Sequence, residues 1–163
     1  MIIKELIATF EHSIMKTMKT TSLKYKTEIE QLILKGATLP GLNVIENKLA
    51  YRYVFKEPHN NNHKPIYIQN PKRIITDSDK SRIETSGYAL SCFEDENQAV
   101  KKFEDLKINS KNIGLLIGDS LASGLLCIDD GLITKSNDKS HFDLYEFSEC
   151  DLSSKFTVKK QLI

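Results

Sequence analysis

The first apolar positions along the chain recur at three- and four-residue steps. Ile3, Leu6, Ile7, Phe10, Ile14 and Met18 fall on one face of a helix, with Lys4, Glu11, Lys16 and Lys19 largely on the other. Thr20, Thr21 and Ser22 weaken that helix, because their hydroxyls compete for backbone partners. Ser22 can also cap a second helix, whose stripe is Tyr25, Ile29, Leu32 and Ile33 and whose stop is Gly36, with Pro40 beyond. The pattern predicts a helical segment over 1–36, as a hairpin or one kinked helix.

The period then drops to two. In the run from Leu49 to Phe55, Leu49, Tyr51, Tyr53 and Phe55 share one face and Ala50, Arg52 and Val54 the other, as in a strand. Pro58 to Pro65, with the run His59-Asn60-Asn61-Asn62-His63, reads as a loop. Ile66 to Ile68 reads as a short strand, and 70–86 as a polar, mobile loop. Tyr88 to Phe93 alternates again. Asp95-x-x-Gln98 has the form of a capping box, ahead of a helix with Ala99, Phe103 and Leu106 inward, running to Lys107. From Ser110 to Ser123, Ile113, Leu116, Ile117 and Leu121 keep helical spacing up to Gly124, although Gly114 and Gly118 weaken it. Leu125 to Ile128 and Leu132 to Thr134 flank Asp129-Asp130-Gly131, the composition of a hairpin turn. Ser140 to Phe147 and Lys155 to Val158 complete the strands. The expected class is α+β in a single domain over 1–163. A helical N-terminal segment (1–36) precedes a body over 42–163, a mostly antiparallel sheet with one or two inserted helices.

Composition narrows the class further. No run of 18 apolar residues exists, which excludes a membrane-crossing helix by this reading. Glu5, Glu11, His12, Lys16 and Lys19 break any signal-peptide core, so a cytoplasmic location is expected. Cys92, Cys127 and Cys150 are odd in number and widely spaced, which fits small buried thiols rather than a zinc knuckle or a redox pair. Net charge is +1. Its basic excess lies before Ile83 and its acidic excess after it, so either the two halves attract each other within one fold or a basic and an acidic face meet different partners. Lys16, Lys19, Lys24 and Lys26 give a nucleic-acid reading its only footing. No reading motif accompanies them, and the acidic half repels phosphate.

Three groups of residues carry candidate chemistry. Arg52 lies mid-strand between apolar neighbours, where it either anchors an anionic ligand or lays its stem on an edge strand with its head in water. On the strand from Ser140, His141, Asp143 and Tyr145 share one face, while Glu146 shares the face of Phe142 and Leu144. A carboxylate on an apolar face has the environment of a raised pKa, and His141 with Asp143 has the makings of a His–carboxylate pair. His59 and His63 lack the further ligands a metal needs, so no metal site is expected. Gly114-x-x-x-Gly118 has no following Gly-Lys-Ser, and neither Ser91 nor Ser120 sits in a G-x-S-x-G elbow.

Three of these pieces occur in a familiar order. Tyr51-Arg52-Tyr53 holds a central arginine, Gly87 to Phe93 places Ser91 in a strand before a helix, and a late strand carries Tyr145-Glu146. This order resembles the Arg…Ser…Glu arrangement of ADP-ribosyltransferases, over roughly the last two-thirds of the chain. It departs from that pattern in having Leu90 and Cys92 beside the serine and Leu144 two residues before the glutamate. The resemblance implies an NAD-using enzyme. Arg52 would then bind the dinucleotide phosphates, aided by His141, Ser91 would hold the ribose-binding strand, and Glu146 would stabilise oxocarbenium charge. The residues themselves, lacking any complete catalytic motif, point first to a small non-catalytic binding or regulatory protein. Such a protein acts through protein–protein contacts, as immunity, antitoxin or defence-accessory proteins do, and needs no cofactor.

Overall fold

A computed structural model describes residues 23–72 and 84–163. The expected first helix over Ile3 to Met18, the Ser22 cap, and most of the 70–86 loop lie outside them. Within them, helix α1 (Lys26–Leu34) buries Ile29 and ends where Gly36, at φ +98°, donates its N–H to the Ile33 carbonyl. Seven strands follow: β1 (Asn43–Val44), β2 (Asn47–Val54), β3 (Leu90–Phe93), β4 (Ser120–Cys127), β5 (Gly131–Ile133), β6 (His141–Glu146) and β7 (Thr157–Gln161). Their order is β1-β5-β6-β3-β2-β4-β7, and every pairing is antiparallel. The class is therefore α+β, as expected. Three helices interrupt the sheet rather than one or two: α2 (Ile66–Gln69), α3 (Glu96–Asn109) and α4 (Ile113–Ile117).

The sheet is strongly bent. β1 runs into β2 through only Ile45 and Glu46, and β4 runs into β5 through 128–130. Yet β1 pairs with β5 while β2 pairs with β4. The four strands thus form one long two-stranded ribbon with a corner in it, and Asp129-Asp130-Gly131 is that corner, not the hairpin turn its composition predicts. Asp130 fixes the corner: Oδ2 accepts from Cys127 N–H at 2.8 Å and from Lys155 Nζ at 2.6 Å. Beyond the corner β5 joins β6, β6 joins β3, and β3 meets β2 at Tyr51 and Phe93, so the strands close a circuit.

Inside that circuit lies the main core. Ile45, Ala50, Val54, Leu90, Cys92, Ala122, Leu126, Phe142, Leu144, Leu152 and Phe156 form one buried cluster drawn from both halves of the sheet. Outside it, Ala99 of α3 packs with Tyr51, Phe93 and Leu121, and Phe103 of α3 meets Tyr53 edge-on, while Leu23 and α1 cover Leu132 and Tyr145. The α3 cap reads as expected, with Asp95 Oδ1 accepting from Gln98 N–H at 2.8 Å.

Two elements differ from their sequence pattern. Ile66 to Ile68 is helical: the Pro65 carbonyl accepts from Ile68 and Gln69, and Tyr67 is buried edge-on to Tyr88. The helix expected to continue to Ser123 stops at Gly118, and Ser120 onward is the central strand β4. Gly118 has φ +114°, and a side chain there would run into the Val54 backbone. The polar loop also ends earlier than expected, because Glu84–Tyr88 is a 3₁₀ turn with Thr85 buried.

Candidate functional site

Alternation along β6 sends its chemistry to two sides. Phe142, Leu144 and Glu146 face inward; His141, Asp143 and Tyr145 face outward. The same parity acts on β2 and β3. Tyr51 opposite Phe93 places Arg52 opposite Cys92, so Arg52 points inward and the Ser91 side chain outward.

On the inner side Arg52 is 7% exposed in a central strand, not on an edge with its head in water. Its Nη1 donates to the Ser91 carbonyl at 3.2 Å and touches Cys92 Sγ at 4.0 Å. Glu146 is 3% exposed, and Lys24 Nζ donates to its Oε1 at 3.2 Å and to the Cys150 carbonyl at 3.3 Å. Burial pushes the Glu146 carboxyl above the usual range, with Lys24 and Arg52 opposing. Arg52 Nε and Glu146 Oε2 are buried without a hydrogen-bond partner among the described residues. His63 belongs to the same interior. Its ring leans on Phe156, and burial, reinforced by Arg52, holds its imidazole down to about 4. The loop reading for 58–65 holds, but His63 is built into the core margin while His59 stacks on Phe55.

On the outer side Ser91 Oγ lies 2.6 Å from His141 Nε2, and Asp143 Oδ1 lies 3.9 Å from that same nitrogen. A serine nucleophile relay needs serine and carboxylate on opposite ring nitrogens, so that one takes the proton while the other orients the ring. Here both address Nε2, and the three side chains form a polar contact rather than a relay. Burial lowers the His141 pKa, against Asp143 and with Lys102. Burial raises that of Asp143, against His141. Tyr145 OH meets Thr85 Oγ1 at 3.2 Å, and burial pushes its phenol up to about 12.

The structure therefore brings Arg52 and Glu146 to one face and sets the Ser91 hydroxyl and His141 on the other. An NAD fit asks Arg52, Ser91 and Glu146 to border one cleft. Each is committed elsewhere: Arg52 to a backbone carbonyl, Glu146 to Lys24, and Ser91 to His141. The residues do not fit the dinucleotide as arranged. No group of three metal-ligating side chains occurs among the described residues.

Two cavities open on the outer side, and His141 and Asn137 border both. One, about 440 Å³, is lined by Thr38, Glu84, Thr134, Asp143 and Tyr145. The other, about 640 Å³, lies between α3 and the turn before β6 and takes in Lys101, Lys102 and Lys139. The sequence offers Lys24 only as a phosphate contact and not as the partner of Glu146, and it gives no sign of these three lysines, since none stands in a motif or an apolar pattern. A further feature is apolar. At the corner formed by α3, α4 and the last residue, Ile108 (81%), Leu115 (78%), Leu116 (55%) and Ile163 (53%) stand exposed. The Ile163 side chain lies against Gly114 of α4. No helix among the described residues is long and apolar enough to cross a membrane.

Compared with profiles of known families, with characterised proteins and with solved structures, the chain matches none.

Proposed function

We propose that this is a non-catalytic, cytoplasmic binding protein that masks or regulates a protein partner through the apolar corner at α4. The exposure of Ile108, Leu115, Leu116 and Ile163 carries the reading. α4 has the sequence Ile-Gly-Leu-Leu-Ile, apolar all round, and only Ile113 and Gly114 of it are buried. A helix of that kind belongs under cover, and large apolar side chains standing exposed together on a water-facing surface mark a protein contact. Arg52 and Glu146, the groups a transferase would use, have internal partners instead. Three free thiols, Cys92, Cys127 and Cys150, fit a reducing compartment.

The test uses immobilised protein and a lysate of the source cells. The captured partner is identified, purified and titrated back. The double variant Leu115→Lys/Leu116→Lys should keep its thermal unfolding midpoint and bind at least about tenfold more weakly, a loss of about 1.4 kcal/mol. Equal binding by the variant overturns the reading. So does consumption of NAD by the wild type that is lost in Glu146→Gln.

A further inference from the structure

We propose that the paired cavities beside His141 bind a phosphorylated polyol, a sugar phosphate in chemical class, with the phosphate among Lys101, Lys102 and Lys139. This goes beyond the protein contact at α4, which lies at the other end of α3.

Three cations from two elements meet across the larger cavity: Lys101 and Lys102 from α3, and Lys139 from the turn before β6. None has a carboxylate within ion-pair distance among the described residues, a state they share with most of the surface lysines; what sets them apart is that they border one cavity. Asp105 and Asp138 also border this cavity, leaving its charge at +1 with His141 neutral. Lysines act as point charges toward phosphate and need no fixed fork geometry.

The turn carrying Lys139 is held in shape. Asn137 Oδ1 accepts from the N–H groups of Lys139 at 2.9 Å and His141 at 3.0 Å. With that oxygen used, the Asn137 amide N–H bonds meet no partner among the described residues and face the wall the two cavities share. Past His141 the smaller cavity changes character. Its lining holds Asp143, Glu84, Thr38, Thr134 and Tyr145, mostly acceptors and hydroxyls, with Lys135 as its one lysine or arginine among the described residues. A molecule anionic at one end and rich in hydroxyls at the other matches that sequence of surfaces. His141 reports on it: burial and Lys102 hold its imidazole pKa down, so a phosphate laid against Lys102 reverses one of the two causes.

The experiment titrates the full chain with glucose 6-phosphate, glucose, inorganic phosphate and a phosphoserine peptide, read by calorimetry and by the imidazole resonances. His141 is assigned from the spectrum of His141→Gln. Glucose 6-phosphate should saturate below about 1 mM, with inorganic phosphate at least about tenfold weaker and glucose showing no saturation. The His141 titration midpoint should rise on binding. Lys101→Ala/Lys102→Ala, on exposed helix positions, should fold normally and bind at least about tenfold more weakly. Failure of glucose 6-phosphate to saturate by about 10 mM, or equal affinity in the lysine variant, overturns the proposal. Tighter binding of the phosphoserine peptide than of the sugar phosphate overturns it too, in favour of a phosphorylated protein.

Discussion

Replacing Lys24 with Met isolates the buried charge of Glu146. The Glu146 side chain is 2% exposed and has one counter-ion, Lys24, at 3.2 Å; Arg52 adds only a more distant attraction. Breaking a fully buried pair costs about 3–5 kcal/mol, because the remaining charge stays desolvated. Lys24 is itself 34% exposed, so water screens part of the attraction, and about 2–3 kcal/mol is the expected loss at neutral pH. For a chain of this length that lowers the unfolding midpoint by about 5–10 °C. The pH dependence gives the sign. The folded-state pKa of Glu146 lies above its unfolded value, so its contribution is full below the unfolded pKa and is lost as pH rises through the folded one. Lys24→Met raises the folded pKa further and steepens that loss. Urea unfolding should therefore show the variant destabilised by about 2–3 kcal/mol near pH 7.5 but by only about 1 kcal/mol near pH 5. In a Glu146→Gln background the Lys24 substitution should cost less than about 1 kcal/mol at either pH. A penalty independent of pH, or unchanged in the Gln background, refutes the reasoning.

Other substitutions probe the fold that positions these groups. Gly118→Ala puts a side chain against the Val54 backbone at φ +114°, and chemical denaturation should register a loss of about 3 kcal/mol or more. Asp95→Ala removes the cap of α3 and should cost about 1 kcal/mol, measured the same way. Asp130 behaves oppositely to Glu146. Burial alone would raise its pKa, but hydrogen bonds from Lys155 and Cys127 outweigh that and hold it below the usual range. Its contribution is present above the unfolded pKa and is lost as pH falls through the folded one. Asp130→Asn should therefore destabilise at neutral pH, and less so below pH 4, in thermal scans across that range.

Periodicity makes some of this architecture legible and leaves the rest hidden. β2 and β6 alternate cleanly because each has one face in the core and the other against helices or water, so Glu146 reads correctly as an inward carboxylate. The α3 boundary reads correctly because Asp95 and Gln98 sit at the spacing the cap requires. β4 does not. Buried on both faces over much of its length, it shows no alternation, and Leu121 happens to continue the helical spacing of Ile113 and Ile117. Only the backbone angle at Gly118 separates the two elements. The candidate site fails for a different reason. Whether Arg52 and the Ser91 hydroxyl share a face depends on the register of β2 against β3, and that is set by the packing of Tyr51 and Phe93 under α3. Lys24 is invisible as a partner because it lies 122 positions from Glu146.

The cornered ribbon has a consequence for how the chain reaches this state. Asn47 faces Cys127 and Val54 faces Ser120, and the ribbon's far end sets Asn43 against Ile133. Every rung joins segments separated by most of the body, including all of α3, so no short loop can zip it from a nearby turn. Chain-closure entropy must be met before the rungs reward it. α3, with its own cap and local contacts, can form early. The ribbon forms late and all at once, and the amides of β2 and β4 should open together, only in global unfolding.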